Sequence, residues 1–284
     1  MSIWLCYILN LLFSRTKMLE IFEFNIIKRA FLVVSFIAPL SPIFGIFLLF
    51  RKYAFFADTL AHVGFLALAL SLFFKINSLV LLILLSIGVS ISVEQLRAKD
   101  RLPAEGSLSF FLYSGVALSV VFITFSGSTG SIINILFGSL STVTKEDVYL
   151  ILSGAFVCGV FILKYYKKLI SFCIDEELAH ASGINVAVIK MLFATTVALS
   201  ISISIQTMGA LLIGSLMIIP PLIAMHICRS LKNTVIVSII ISLLSSYSGI
   251  FLSFYSGIPL GASISTILVV FFVISFIIKA FKFK

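Results

Sequence analysis

Long apolar stretches, each about the length of a membrane crossing, alternate along the chain with short polar connectors. A transmembrane helix needs about 20 predominantly apolar residues, and the sequence predicts nine such helices, with eight as the alternative count. The predicted spans are residues 30–50, 56–74, 78–96, 108–125, 148–164, 186–206, 209–227, 234–254 and 262–279. A further apolar run, 132–140, is too short to cross and predicts a half-inserted outer helix. The pattern therefore predicts an all-α, polytopic integral membrane protein.

Composition supports the membrane assignment. Of the 284 residues, 61% are hydrophobic and 11% are charged, whereas a soluble domain carries about 25% charged residues. A soluble globular protein is therefore excluded. We expect residues 1–17 to form an amino-terminal extension at the periphery, and residues 18–284 to form one membrane domain. The four cysteines are dispersed without a Cys-x-x-Cys pair, which argues against a thiolate zinc site and a disulfide framework.

The formal net charge of +9 is concentrated in the connectors that follow alternate spans. Basic connectors lie on the cytoplasmic side of a membrane protein, so the pattern predicts a multi-pass protein with these connectors in the cytoplasm. The basic residues face the headgroups of the lipid bilayer, and nucleic acid is not an expected partner. The connectors concerned are residues 51–52, 97–101, 164–168, 229–232 and 279–284.

Asp58 and His62 lie one helical turn apart at the start of an otherwise apolar span. A spacing of four residues places both side chains on one helix face, and a carboxylate with an imidazole suits borderline divalent cations. An ionisable group at the centre of a span costs about 2.5–3.5 kcal/mol on insertion scales, so its presence suggests a functional site. The alternative is that Asp58 caps the helix and pairs with Arg51 or Lys52, while His62 packs between helices.

Residues 175–185 predict a short cytoplasmic helix rich in acidic residues. Asp175 is a favourable N-cap, Glu176 and Glu177 complement the positive start of the helix, and Gly183 suits a left-handed stop. A helix of two turns is not stable alone in water. It must therefore pack either on a partner protein or on the ends of the chain's own spans.

The span 209–227 combines small residues with a pair of prolines. Gly209 and Gly214 allow close approach of another helix, and Pro220 with Pro221 predicts a kink. Such a segment either lines a transport pathway and takes part in gating, or forms a packing seam with a structural bend.

Four tracts together resemble the membrane subunits of bacterial ATP-binding-cassette importers for zinc, manganese and iron, of the ZnuB type. The resemblance extends from residue 18 to residue 279 with the tracts in the same order and spacing. Ser139 departs from it, since that family usually has an acidic residue there, as do Pro221 in place of alanine and His180 in place of arginine. The tracts are Arg51 to His62, Leu136 to Asp147, Asp175 to Asn185 and Gly209 to Pro221.

The resemblance implies the permease subunit of an ATP-driven importer of divalent metal ions, with zinc favoured and manganese or iron as alternatives. It places this multi-pass protein in the bacterial inner membrane. It implies a homodimer in which Asp58 and His62 of both copies hold the transported ion, so no permanently bound cofactor is expected. It further implies two separate ATPase subunits and an extracytoplasmic metal-binding protein as partners. The ATPases would contact the coupling helix through residues Asp175, Glu176, Glu177, Ala181 and Gly183.

The chain itself is not expected to be an enzyme. It has no Gly-x-x-x-x-Gly-Lys-Ser/Thr phosphate-binding loop and no His-Glu-x-x-His metalloprotease motif. Two alternatives remain within transport. One is a permease for a metal chelate such as a siderophore or a corrinoid, and the other is a secondary metal transporter that works without ATP.

Overall fold

The computed structural model describes residues 25–98, 104–127, 138 and 144–282. Within these ranges the regular elements are all α-helices, and nine of them are long and apolar enough to cross a membrane, as predicted. The predicted extension 1–17 and the half-inserted segment 132–140, except Gly138, lie outside the described residues. The helices are α1 Asn25–Phe50, α2 Phe55–Phe74, α3 Ser78–Ala98, α4 Ala104–Ser126, α5 Lys145–Ile174, α6 Glu176–Ala181, α7 Val186–Met208, α8 Ala210–Ile227, α9 Leu231–Ser256 and α10 Leu260–Lys282.

Helix α5 is longer than the sequence pattern predicts. Its start is fixed by a capping box, in which the Thr144 hydroxyl accepts from the Asp147 backbone N–H and the Asp147 carboxylate accepts from the Thr144 backbone N–H. It continues ten residues past the predicted end at Lys164 because one face stays apolar there, with Leu169 and Phe172 buried. The lysines of this region are exposed, so a basic stretch that suggests a connector is a helical extension.

In the described ranges, two large apolar cores hold most of the helices together, and α1 contributes to both. One core joins the carboxyl-terminal half of α1 to α2, α3, α7 and the end of α5. The other joins the amino-terminal half of α1 to α8, α9 and α10. Their largest fully buried side chains include Phe44, Phe56 and Phe193 in the first core, and Leu212 and Ile264 lie in the second.

Helix α2 lies against α4 along much of its length. The buried Thr59 hydroxyl donates to the Leu108 carbonyl of α4 at 3.2 Å, as well as to Phe55 in its own helix. About one turn further along α2, the backbone of His62 contacts Gly115 of α4. A Cβ added to Gly115 would lie 3.1 Å from the His62 carbonyl carbon and oxygen. This close approach fixes the backbone of α2 where it carries its ionisable residues.

Helices α1 and α8 cross at a point that only a glycine permits. Pro221 has no backbone N–H, so the Met217 carbonyl one turn earlier loses its partner within α8. Gly45 of α1 lies directly against this carbonyl. A Cβ at position 45 would overlap the Met217 oxygen, lie 2.6 Å from its carbonyl carbon and lie 3.2 Å from the Pro221 ring. The Gly45 backbone therefore contacts a carbonyl that lacks its usual partner within α8, a position suited to a weak Cα–H···O bond.

Candidate metal site

Asp58 is positioned by the first turn of α2. The residue that caps this helix is Ala54, without a side-chain hydrogen bond, so Asp58 is not the cap considered in the sequence analysis. The carboxylate is half-buried and points at Gly214 of α8, where a Cβ would overlap Oδ1 and lie 3.3 Å from Cγ. The absence of a side chain at Gly214 therefore provides the space that the Asp58 carboxylate occupies.

His62 follows one turn later on the same helix and is also half-buried. Its imidazole lies on the same face of α2 as the Asp58 carboxylate, because the two residues are four positions apart. The Nδ1 atom of His62 is buried and has no hydrogen-bond partner in the part of the chain that the structure describes. A buried polar atom without a partner is costly, and a ring nitrogen of neutral imidazole is a common metal ligand. The donor set therefore fits a divalent cation.

The described residues of one copy of the chain offer too few ligands for a complete metal site. Among the described residues, no group of three or more His, Cys, Asp and Glu side chains gathers where it could hold a metal ion. Asp58 and His62 together offer a carboxylate and an imidazole, whereas a protein zinc site normally has three or four protein ligands. A metal ion held by this pair would take its remaining ligands from outside the described part of this chain.

The four residues predicted to line or gate a pathway occupy different places. Gly214 alone lies at the candidate metal ligands. Gly209 joins α7 to α8 with a φ of +82°, which favours glycine. Gly138 packs against this joint, because a Cβ on it would lie 2.6 Å from the Met208 carbonyl oxygen and 3.0 Å from the Gly209 nitrogen. Pro220 and Pro221 are buried in α8, which continues as a helix to Ile227.

The predicted cap and stop of the short helix α6 are confirmed. The Asp175 carboxylate accepts hydrogen bonds from Glu177 N at 2.9 Å and Leu178 N at 3.1 Å. Gly183 has a φ of +77° and donates to the His180 carbonyl, while Ile184 donates to the Ala179 carbonyl. Together these two bonds form a Schellman stop.

The two faces of α6 differ. Ala179 is buried, whereas Glu177, Leu178 and Ala181 are exposed, with Leu178 at 65%. Glu176 forms an ion pair with Lys190 of α7. The two acidic residues therefore have different positions: Glu176 binds α6 to α7 through its ion pair, and Glu177 is exposed on the outer face.

A buried ion pair between Arg51 and Glu94 is the main feature that the sequence analysis missed. Nη2 of Arg51 lies 3.0 Å from Oε1 and 3.4 Å from Oε2 of Glu94, with side-chain exposures of 4% and 7%. The suggested pairing of Arg51 with Asp58 is therefore wrong. Glu94 is the one acidic residue within the predicted span 78–96, and an acid inside a span indicates a buried partner.

Tyr53 lies between this pair and Arg97. The Tyr53 ring is 4.7 Å from the guanidinium carbons of both Arg51 and Arg97. Burial, reinforced by the Glu94 carboxylate, raises the pKa of the Tyr53 phenol above its ordinary value of 10.0, although both arginines oppose the shift. The phenol is therefore neutral at physiological pH, and the two cations lie against an uncharged ring.

Comparison with known protein families matches residues 23–279 to the ABC 3 transport family. The chain is 35% identical over 223 residues to the high-affinity zinc uptake system membrane protein ZnuB of Buchnera aphidicola, covering 78% of this chain and 85% of that protein. It is 24% identical over 264 residues to the manganese transport system membrane protein MntB of Synechocystis, covering 92% and 85%.

Among solved structures, the fold is similar to that of PsaBC from Streptococcus pneumoniae in complex with Fab. The TM-score is 0.79 over 89% of this chain and 92% of that chain, at 22% sequence identity, which is a likeness of fold. The family match covers all nine of the long apolar helices that the structure describes. The chain therefore belongs to the ABC 3 transport family.

Proposed function

We propose that this chain, a multi-pass protein of the bacterial inner membrane, is the permease subunit of an ATP-driven importer of divalent metal ions, with zinc as cargo. The similarity to a zinc uptake membrane protein at 35% identity supports zinc, and the similarity to a manganese transport protein keeps manganese as the alternative. The observation that carries the proposal is the half-buried pair Asp58 and His62, one turn apart on α2.

Two copies of the chain complete the metal site. A two-fold axis close to Asp58 and His62 brings two carboxylates and two imidazoles to one ion, because a two-fold interface repeats the same residues from each subunit. Four such ligands suit tetrahedral zinc, while added water or a bidentate carboxylate suits manganese or iron. Among the residues that the structure describes, Nδ1 of His62 has no hydrogen-bond partner and one copy offers an incomplete donor set, and both observations support this arrangement.

The work of transport comes from separate ATPase subunits bound at α6. This chain has no phosphate-binding loop, and α6 presents Glu177, Leu178 and Ala181 outward while Ala179 is anchored. An exposed leucine beside an acidic residue, on a six-residue helix held by a cap and an ion pair, is a suitable contact for a partner protein. An extracytoplasmic metal-binding protein delivers the ion from the opposite side.

Uptake by the complete transporter tests the metal site. The complex with its ATPase subunits is reconstituted in lipid vesicles, and ATP-dependent accumulation of radioactive zinc is measured. Asp58→Ala and His62→Ala should each lower uptake by more than about 100-fold, because loss of a group that merely orients a ligand already costs about 10–100-fold. Glu105→Ala, an exposed acid in the first turn of α4, is the matched control and should transport normally.

Three further results would contradict the proposal. They are zinc accumulation without ATP, uptake of chelated metal in preference to the free ion, and normal uptake by the Asp58→Ala and His62→Ala variants. Elemental analysis of the purified complex, trapped with zinc, should give one ion for each pair of chains. One ion per chain would exclude a shared site.

A further inference from the structure

The Arg51–Glu94 pair lies where four parts of the fold meet. Arg51 belongs to the connector between α1 and α2, and Glu94 is near the end of α3. The Arg51 guanidinium carbon also lies 4.9 Å from the ring centre of Phe172 in α5 and 5.6 Å from that of Phe193 in α7. A guanidinium enclosed by rings and a carboxylate has a narrowly defined position. The position of Arg51 therefore depends on the positions of α3, α5 and α7.

The connector that carries Arg51 is short and rigidly folded. Lys52 donates to the Leu49 carbonyl and Tyr53 to the Leu48 carbonyl, the two bonds of a Schellman stop, with Lys52 at a φ of 57°. Tyr53 is buried and its carbonyl accepts from Phe56 at the start of α2. A displacement of Arg51 is therefore passed to the first turn of α2, where Asp58 lies.

A chain of contacts links Arg51 to α6. Glu176 of α6 pairs with Lys190 of α7. The Lys190 ammonium lies 5.7 Å from the ring centre of Phe172, and the same ring contacts Arg51. Both carboxylates of this network thus hold a basic partner, and one aromatic ring lies between the two pairs.

The network has room to rearrange. A cleft of about 300 Å³ lies beside the two ion pairs and is lined by Glu94, Arg97, Ala98, Glu176 and Lys190. Lys190 and Glu176 can move across this space relative to Glu94 without entering a packed core. Arg51 is buried and cannot move separately from its surroundings. A movement of Lys190 and Glu176 that reaches Arg51 therefore shifts the whole connector between α1 and α2.

We infer that Arg51, held by Glu94, is a positioning residue for metal transport, which transmits movement of α6 to the turn of α2 that carries Asp58. This inference rests on the proposed function, since it assigns the route by which an ATPase on α6 reaches the metal ligands. Stability alone explains the pair poorly, because buried ion pairs can often be replaced by apolar side chains of similar volume without loss of stability. The charges instead hold the guanidinium in one geometry, so a movement that reaches Arg51 shifts the whole connector.

The test measures zinc ions transported per ATP hydrolysed by the complete complex in lipid vesicles. The double variant Arg51→Met with Glu94→Leu removes both charges and keeps similar volume. It should retain ATP hydrolysis and the zinc concentration for half-maximal uptake, while the number of ions per ATP falls by about tenfold or more. Glu94→Gln should give a smaller fall in the same ratio, and it keeps the test valid should the double variant fail to fold.

Lys52→Met is the matched control, because it removes the neighbouring exposed charge from the same connector, and it should leave the ratio unchanged. Arg51→Lys restores the charge without the planar fork and should recover part of the ratio. An unchanged ratio in both the double variant and Glu94→Gln would overturn the inference, as would equal losses of uptake and hydrolysis. A wild-type complex that shows no ATP-dependent uptake would instead contradict the proposed function.

Discussion

A methyl group at Gly214 should disable the metal site without unfolding the protein. In Gly214→Ala, the added Cβ would overlap Oδ1 of Asp58 and lie 3.3 Å from its Cγ. The atom that must yield is the end of a short side chain rather than backbone, so the carboxylate can rotate away. Leaving a rotamer well by about 30° costs about 0.5–1.5 kcal/mol, which is small beside the stability of a packed domain.

The effect on transport should be much larger than the effect on folding. A misplacement of a reacting group by roughly 1 Å can lower activity on the order of 100-fold, and the overlap requires Oδ1 to move by a distance of that order. Alanine also favours helix over glycine by about 1 kcal/mol, which offsets the rotamer cost. We therefore expect near-normal membrane abundance with zinc uptake reduced by about 10- to 100-fold.

Two other glycines calibrate the assay. A Cβ added at Gly88 on α3 would meet no described atom within 4 Å apart from the adjacent backbone of its own helix, so Gly88→Ala should keep both abundance and uptake. Gly45→Ala would press on the Met217 backbone, so it should reduce abundance itself. Quantitative immunoblotting of membranes gives abundance, and radioactive zinc uptake gives activity. Normal uptake by Gly214→Ala at normal abundance would refute the assignment of the Asp58 carboxylate to the metal pathway.

Two further changes test the docking helix and the packing of α2. Glu177→Lys should weaken the binding of the ATPase subunit about tenfold, equivalent to about 1.4 kcal/mol, because Glu177 faces outward on α6. Co-purification of the two subunits measures this binding. Unchanged co-purification would show that Glu177 is not part of the docking surface. Thr59→Val should lower the free energy of unfolding by about 1 kcal/mol through loss of the hydrogen bond to Leu108, measured by denaturation in detergent. Thr59→Ser keeps the hydroxyl, and an equal loss in both variants would show that this bond contributes nothing.

The spans were predictable because a membrane crossing needs a minimum number of consecutive apolar residues, and such runs are visible in the sequence itself. The cap and stop of α6 were predictable for a similar reason, since Asp175 and Gly183 act on backbone groups within a few residues of themselves. The carboxyl-terminal end of α5 was not predictable from the same rule. Beyond the apolar stretch, its length depends on the burial of Leu169 and Phe172 against other helices.

The partner of Arg51 could not be read from sequence proximity. Asp58 is seven residues away along the chain and Glu94 is 43 residues away, yet the connector folds so that the guanidinium faces α3. The role of Gly214 could likewise be predicted only in part. Its small size predicts a close neighbour but does not identify that neighbour. That neighbour is the carboxylate of Asp58, a contact set by how α8 packs against α2.

The Gly45–Met217 contact has a consequence for how the helices can rearrange. Separating α1 from α8 at this point would expose a carbonyl without a partner to hydrocarbon, which costs several kcal/mol in a bilayer. Between α2 and α8, by contrast, the contact at Gly214 is made by a rotatable side chain. We therefore expect α1 and α8 to move together as one rigid body during transport, and a change in the contact between α8 and α2 to begin with rotation of the Asp58 side chain.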